Sequence, residues 1–368
     1  MSNGVPVLWL CGPPGVGKSS AAFEIFSRLA RGGVRTAFID LDQIGLCHPV
    51  DDEHRVRTAA LGAVWPNHRA AGARCLILSG VVDTAEQARA YADAMPGADV
   101  TLCRLRVRAD ELRRRFVGRG WRPELVDRAV AAAEALDRTG FADLCVDTDG
   151  LTVPEVARTV RKRIGLRPAA APEPTAPPAP RAGAAITTPT LWLCGATGVG
   201  KSTVGYEVFR QVIGEGVPAA YVDARQIGFL RPADGGRALM AANLAVLDAV
   251  FRQAGARCLI VSGEAGHPDG FTGLFAASAL TVCRLDAGPG RLAERVLMRG
   301  RGDGPVVPGD ELRGLPEREL VEIARRAAAE AADAPDGAVR VGTDDRTPAD
   351  AARAVRAAAG GWPRPRTP

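Results

Sequence analysis

Lysine is nearly absent from this chain of 368 residues. Of its 47 cationic side chains, only Lys18, Lys162 and Lys201 are lysines, and every other one is arginine. Arginine therefore stands wherever either cation serves, and the surviving lysines mark positions that need a compact ammonium on a flexible stem. Long apolar runs are missing too, and the segment Val5–Cys11 has neither the basic lead nor the length of a signal peptide. The expectation is a cytoplasmic protein with no membrane partner. The net charge of +5 is small, and the arginines are interspersed with carboxylates, so charge gives no clear nucleic-acid signal. The four histidines, His48, His54, His68 and His267, show no metal-ligand spacing, and the eight cysteines form no C-x-x-C. Three cysteine pairs, Cys11 and Cys194, Cys75 and Cys258, Cys103 and Cys283, lie in apolar runs, as buried thiols of a reducing compartment do. A hydrophobic content of 46% with 24% charged residues fits a globular chain of two ordinary domains.

What is present is one phosphate-binding pattern, twice. Gly12-Pro-Pro-Gly15-Val16-Gly17-Lys18-Ser19 and Gly195-Ala-Thr-Gly198-Val199-Gly200-Lys201-Ser202 both satisfy G-x-x-x-x-G-K-[ST], followed by Ser20 and Thr203. The glycines let backbone N–H groups turn inward around oxyanions, Lys18 and Lys201 reach the outer phosphates, and the Ser19 and Ser202 hydroxyls ligate Mg²⁺. Two of the three lysines are these two. The pattern predicts binding of a nucleoside triphosphate with Mg²⁺ at each loop.

The offset that carries Lys18 onto Lys201 also carries Leu8-Trp-Leu-Cys-Gly12 onto Leu191-Trp-Leu-Cys-Gly195 and Phe38-Ile-Asp40 onto Tyr221-Val-Asp223. It further carries Gly72-Ala-Arg-Cys-Leu-Ile77 onto Gly255-Ala-Arg-Cys-Leu-Ile260, and after a short slip Thr101–Leu105 matches Thr281–Leu285. A tandem duplication follows, with domains at 1–165 and 190–360. Between them 166–189 is rich in Pro and Ala and is expected to be an extended spacer, and 361–368 a disordered tail. Within each copy the expected strands are the run before the loop, Thr36–Asp40, Arg74–Ser79, Val100–Leu105 and Leu144–Thr148, alternating with helices. The last helix of each copy opens on a capping box, Thr152 with Glu155 and Thr347 with Asp350. The fold class is α/β: two tandem P-loop domains, each a parallel sheet with helices on both faces.

The remaining residues narrow the class. No N-K-x-D reads guanine, and the third strand of each copy ends in Ser-Gly, without the Asp and Glu of motor-type ATPases. A carboxylate does stand at the end of strand two: Asp40, followed by Asp42, and in the second copy Asp223, followed by Arg225. That place is the crevice where open α/β sheets bind ligands. A carboxylate there serves a metal, an acceptor hydroxyl, or only the cap of the next helix.

On the loop and these carboxylates the chain resembles the small P-loop kinases, the group of nucleoside monophosphate, shikimate and adenylylsulfate kinases. The resemblance implies phosphoryl transfer from ATP to a small-molecule acceptor, with Asp40 and Asp42 serving metal and acceptor. Asp223 is the counterpart of Asp40, and Arg225 departs from the pattern. It also implies an arginine-bearing lid after strand four, onto which Arg115, Arg119, Arg295 and Arg299 map, paired at helical spacing of four. The second copy continues into a loop of lid character, 300–309, which is clipped in the first. Asn243 likewise faces Ala60. Neither copy holds every part, so two other readings stay open: a nucleotide-sensing module without transfer, and an ATPase coupled to a partner protein.

Overall fold

The computed structural model describes residues 4–118, 123–165, 168–169, 185–232, 236–263, 271–276, 278–303, 309–332 and 339–363. Most of the Pro/Ala-rich stretch, part of the 300–309 loop, Arg119, His267 and most of the tail lie outside the described residues. The chain divides into two compact units: Met1–Gly45 with Arg57–Pro178 and Gly228–Leu239, and Leu46–Val56 with Ala179–Ile227 and Met240–Pro368.

The first half runs β1 (Val5–Cys11), α1 (Lys18–Arg31), β2 (Thr36–Asp40), α2 (Leu41–Ile44), β3 (Cys47–His48), α3 (Glu53–Ala70), β4 (Cys75–Ser79) and α4 (Ala85–Asp93). It continues with β5 (Ala98–Arg106), α5 (Ala109–Gly118), α6 (Val126–Asp137), β6 (Leu144–Asp147) and α7 (Val153–Ile164). The second half runs β7 (Thr190–Cys194), α8 (Lys201–Gly214), β8 (Ala219–Asp223), β9 (Leu230–Arg231), α9 (Gly236–Gln253) and β10 (Cys258–Ser262). It ends with β11 (Leu280–Asp286), α10 (Pro289–Arg301), α11 (Glu317–Ala332), β12 (Val339–Gly342) and α12 (Pro348–Ala358). The sheets read β6-β5-β1-β4-β2-β9 and β12-β11-β7-β10-β8-β3. The fold is α/β, two sheets of mostly parallel strands with helices on both faces.

Continuous burial explains why the central strands carry no alternation. Every residue of β2, β4, β7, β8 and β10 is buried, as a strand covered on both faces must be. Helix α1 shows the complementary periodicity: Ala21, Ala22, Ile25, Phe26 and Leu29 face the sheet and pack with Leu8, Leu10, Phe38 and Ile77. Helix α7 starts where Thr152 N–H donates to Glu155 at 2.8 Å, and it ends at Gly165 with φ of 60°. In α12 the Thr347 hydroxyl accepts from Asp350 N–H at 3.2 Å.

One feature departs from the sequence expectation of wholly parallel sheets. The sixth strand of each sheet is antiparallel and comes from the other half of the chain. Thr36 and Ala37 of β2 pair with Arg231 and Leu230 of β9, while Ala220 and Ala219 of β8 pair with Cys47 and His48 of β3. Phe38 N–H donates to Phe229 O at 3.1 Å, and Tyr221 N–H to Leu46 O at 2.9 Å. Strand two would otherwise be the sheet's edge, with a row of unpaired N–H and C=O groups. The ring of Phe229 joins Phe23, Phe26 and Phe38 with centroids 5.4, 5.9 and 5.7 Å away. A single cut between the halves therefore does not separate the units.

Candidate active site

Each phosphate loop leaves the central strand of its sheet and enters the first helix. In the first unit Gly12, Gly15 and Gly17 have φ of 137°, 87° and 102°; in the second Gly195, Gly198 and Gly200 have 133°, 86° and 101°. The two backbones follow one path. A side chain at Gly12 would put its Cβ 2.6 Å from Leu105 O, and one at Gly195 would collide with Leu285 O. These glycines are fixed by geometry as well as by close approach. Gly17 and Gly200 are the caps of α1 and α8, so the helix N-termini, with Lys18, Ser19 and Ser20 or Lys201, Ser202 and Thr203 in the first turn, open onto the loop. Unpaired first-turn amides and the helix dipole favour an anion there.

Both lysines curl back onto their own loop. Lys18 Nζ donates to Pro13 O at 3.1 Å, and Lys201 Nζ to Gly195 O at 2.7 Å and Ala196 O at 3.2 Å. Burial pulls the Lys201 ammonium down to about 8; Asp223 opposes that shift and Arg225 adds to it. Lys162, the third lysine, sits in the last turn of α7 with Arg161 and Arg163, where cations suit the helix dipole.

The strand-two carboxylates lie against the loop serines. Asp40 accepts from Ser79 Oγ at 2.7 Å and from Asp42 N–H at 3.0 Å, and Ser19 also hydrogen-bonds to it. Burial, then the nearby Asp42 charge, raises Asp40 to about 6. In the second unit Ser202 Oγ donates directly to Asp223 at 2.6 Å, and Arg225 N–H donates to the other carboxylate oxygen at 3.1 Å. A hydroxyl and a carboxylate held this close, beside a phosphate loop, form an oxygen donor set suited to Mg²⁺. Both carboxylates also receive the amide two residues on, so capping and ligand roles coexist.

The two sites differ behind that pair. Where the first unit has Ala22, Phe38 and Ser79, the second has Gly205, Tyr221 and Ser262. The Tyr221 hydroxyl lies 3.0 Å from Ser262 Oγ and 3.2 Å from Ser202 O, and Ser262 Oγ donates to Lys201 O at 3.0 Å. A Cβ at Gly205 would stand 2.5 Å from Ser262 Oγ and 3.0 Å from the Tyr221 ring. The added hydroxyl and the lost methyl are one coordinated change.

Arg115 and Arg295 occupy matching places, and their hydrogen bonds show how. Arg115 donates to Val16 O at 3.1 Å, Thr148 Oγ1 at 3.1 Å, Thr148 O at 2.6 Å and Glu111 at 2.7 Å. Arg295 donates to Val199 O at 3.2 Å, Thr343 Oγ1 at 2.9 Å and Thr343 O at 2.8 Å. These forks tie α5 and α10 to the carbonyl side of the loop and to the end of the last strand. Most of their donors face protein oxygens, which fastens each helix to its loop backbone. Arg299 is forked on Asp310, at 3.1 and 2.9 Å, and Arg225 pairs with Glu311 at 3.0 Å. Asp42, by contrast, faces Arg57 at 3.4 Å. Asn243 is buried and donates to Ile227 O at 2.6 Å.

Sequence reasoning missed Thr148, Thr343 and Glu111. The signal was there: a Thr-Asp follows the last strand in both halves, and Glu111 precedes Arg115 by one helical turn. Among the described residues no cluster of three or more metal-ligating side chains occurs, and no helix is long and apolar enough to cross a membrane.

No family model and no curated protein matches the chain. Among solved structures it is similar to the tunicamycin resistance protein of Deinococcus radiodurans, with 18% identity, 45% of this chain and 99% of that one, at a TM-score of 0.34. A gluconokinase from Sinorhizobium meliloti 1021 matches with 18% identity over 47% of this chain and 93% of its own, TM-score 0.31. A sugar kinase from Janibacter sp. HTCC2649 matches with 14% identity over 45% and 97%, TM-score 0.35.

Proposed function

We propose that the chain is a tandemly duplicated P-loop phosphotransferase that uses ATP and Mg²⁺ to phosphorylate a hydroxyl of a small molecule, in the first unit above all. The observation that carries this reading is the joining of Ser19, Asp40 and Asp42 to a loop whose three glycines take left-handed backbone conformations. The loop amides and Lys18 hold and orient the β and γ phosphates, and Ser19 with Asp40 holds the metal. Magnesium, when bound, neutralises phosphate charge. Asp42, nearly half exposed at 45%, is the carboxylate open to an incoming acceptor. The acceptor oxygen bonds to the γ phosphorus as the bond to the β,γ-bridging oxygen breaks; its proton passes to Asp42, and ADP leaves. Such chemistry depends on positioning and charge more than on a strong base. Seven of the eight cysteines are buried, which supports a reducing cytoplasm as its setting.

ADP formation, measured with and without a panel of hydroxyl, sulfate and phosphate acceptors, tests the proposal. Acceptor-dependent ADP supports it. Slow ADP release indifferent to every acceptor would make the protein an ATPase, and binding without turnover a sensor. Lys18→Ala and Lys201→Ala, made separately, assign nucleotide to each loop: each is expected to weaken binding at its own loop about a hundredfold, the scale of losing a charge-assisted contact. Unchanged ATP affinity in both variants and in their double would refute the reading.

A further inference from the structure

The two units present opposite charge at one place. Two residues past the strand-end carboxylate, the first unit has Asp42 and the second has Arg225. Arg225 stands close enough to the loop for its charge to act on the Lys201 ammonium. The second unit also carries, in the segment after α10, an acidic pair with no counterpart in the shorter first half: Asp310 on Arg299 and Glu311 on Arg225. The two ion pairs are not alike. Asp310, its side chain 9% exposed, accepts both arms of the Arg299 fork and receives Leu312 N–H at 3.1 Å. Arg225 and Glu311 are 42% and 38% exposed and meet through a single contact of 3.0 Å. An exposed single-contact pair of this kind contributes little to stability, so folding alone gives weak reason to reverse the charge beside a phosphate loop. Ligand recognition gives a better one. A guanidinium presents a planar fork that matches a carboxylate or a phosphate, and a resident carboxylate is the side chain that most closely imitates such a group.

We propose that the second unit binds a small molecule carrying its own carboxylate or phosphate group, which takes Arg225 from Glu311, while the Arg299–Asp310 fork holds the adjoining segment in place. This rests on the phosphotransferase reading only for the location of the triphosphate beside it. The first unit has a carboxylate at the same position, Asp42, which faces Arg57 at 3.4 Å.

Calorimetric titration of the full-length protein with inorganic phosphate, D-glycerate and glycerol, with and without saturating Mg²⁺ and a non-hydrolysable ATP analogue, tests this. Lys18→Ala and Lys201→Ala backgrounds account for any anion held by the loops themselves. Arg225→Ala is expected to weaken phosphate and glycerate binding at least tenfold. Arg225→Lys, which keeps the charge and loses the fork, falls between. Glu311→Gln removes the competing carboxylate and is expected to tighten both anions severalfold, with glycerol unmoved. Anion affinities unchanged by Arg225→Ala, or weakened by Glu311→Gln, overturn the inference and leave Arg225–Glu311 a structural clasp. Loss of analogue binding in every form refutes the phosphotransferase reading separately, since the Arg225 and Glu311 dependence of the anion titrations is read without nucleotide as well.

Discussion

The phosphate sites of the two units share a backbone and differ in what surrounds it. Their glycines agree in φ to within about 4°, and both lysines fold onto loop carbonyls; main-chain geometry of this loop has one solution. The carboxylate networks diverge. In the first unit Asp40 gathers Ser19, Ser79 and the Asp42 amide, next to a second carboxylate. In the second, Tyr221 sits against Ser262, whose hydroxyl turns to Lys201 O, leaving Asp223 to Ser202 and placing a cation alongside. The comparison teaches that the loop backbone is the same in both units, whereas the ground beside it, where the proposed acceptor would arrive, differs by paired substitutions.

The largest effect expected on this comparison comes from the traded strands. Phe229→Ala removes a buried ring from the aromatic cluster of the first unit and should cost about 3–5 kcal/mol. Hydrogen exchange is expected to accelerate in β2 and β4 and not in β8 and β10; equal acceleration in both sheets would break the assignment of Phe229 to the first unit's core.

Next comes His68, buried in α3 with Nδ1 3.0 Å from Val64 O and Nε2 unpartnered, where the second half has Phe251. Burial lowers His68 from 6.5 to about 4. The unfolded chain therefore binds the extra proton between these values, so stability is full above pH 6.5 and falls as pH drops towards 4. The loss reaches about 3 kcal/mol at the lower end. His68→Phe should abolish that part of the acid sensitivity in denaturant titrations; an unchanged pH slope would show that His68 does not titrate as described.

A smaller effect probes the coordinated change behind the serine–carboxylate pair. Gly205→Ala should cost about 1–3 kcal/mol through its collision with Ser262 and Tyr221. Adding Tyr221→Phe should return most of it, because the first unit accommodates Ala22 beside Phe38. Additive penalties in the double-mutant cycle would show that the two positions do not act together.

The smallest follows from Lys201. On the proposed function its ammonium holds phosphate, and burial pulls it down to about 8, so triphosphate affinity at the second loop should decline above pH 8 by up to about tenfold per pH unit. The Lys18→Ala background isolates that loop, and a flat profile to pH 9.5 would contradict the shift.

Much of this was legible in the sequence because it depends on local rules. Strand two falls at Thr36–Asp40, as its apolar run ending in a carboxylate indicates, and α1 starts at the loop and stops before Gly32-Gly33. The loop glycines declare their left-handed conformations through residue type alone. The sixth strands were not legible. Cys47–His48 and Leu230–Arg231 are two residues each, too short for any periodicity, and what places them is the unpaired edge of a distant strand. Arg115 and Arg295 were found by register but not their use, since a guanidinium's partners depend on where the last strand's Thr148 and Thr343 arrive in space.

The exchange of edge strands also sets an order of events at the ribosome. Arg35 meets the backbone of Pro232, 197 positions downstream, so the first sheet emerges with β2 bare and stays so until β7 and β8 of the second half have been made. A nascent polypeptide in that condition offers an open strand to neighbouring copies, and the yield of soluble product should depend on elongation speed and on chaperones that shield it.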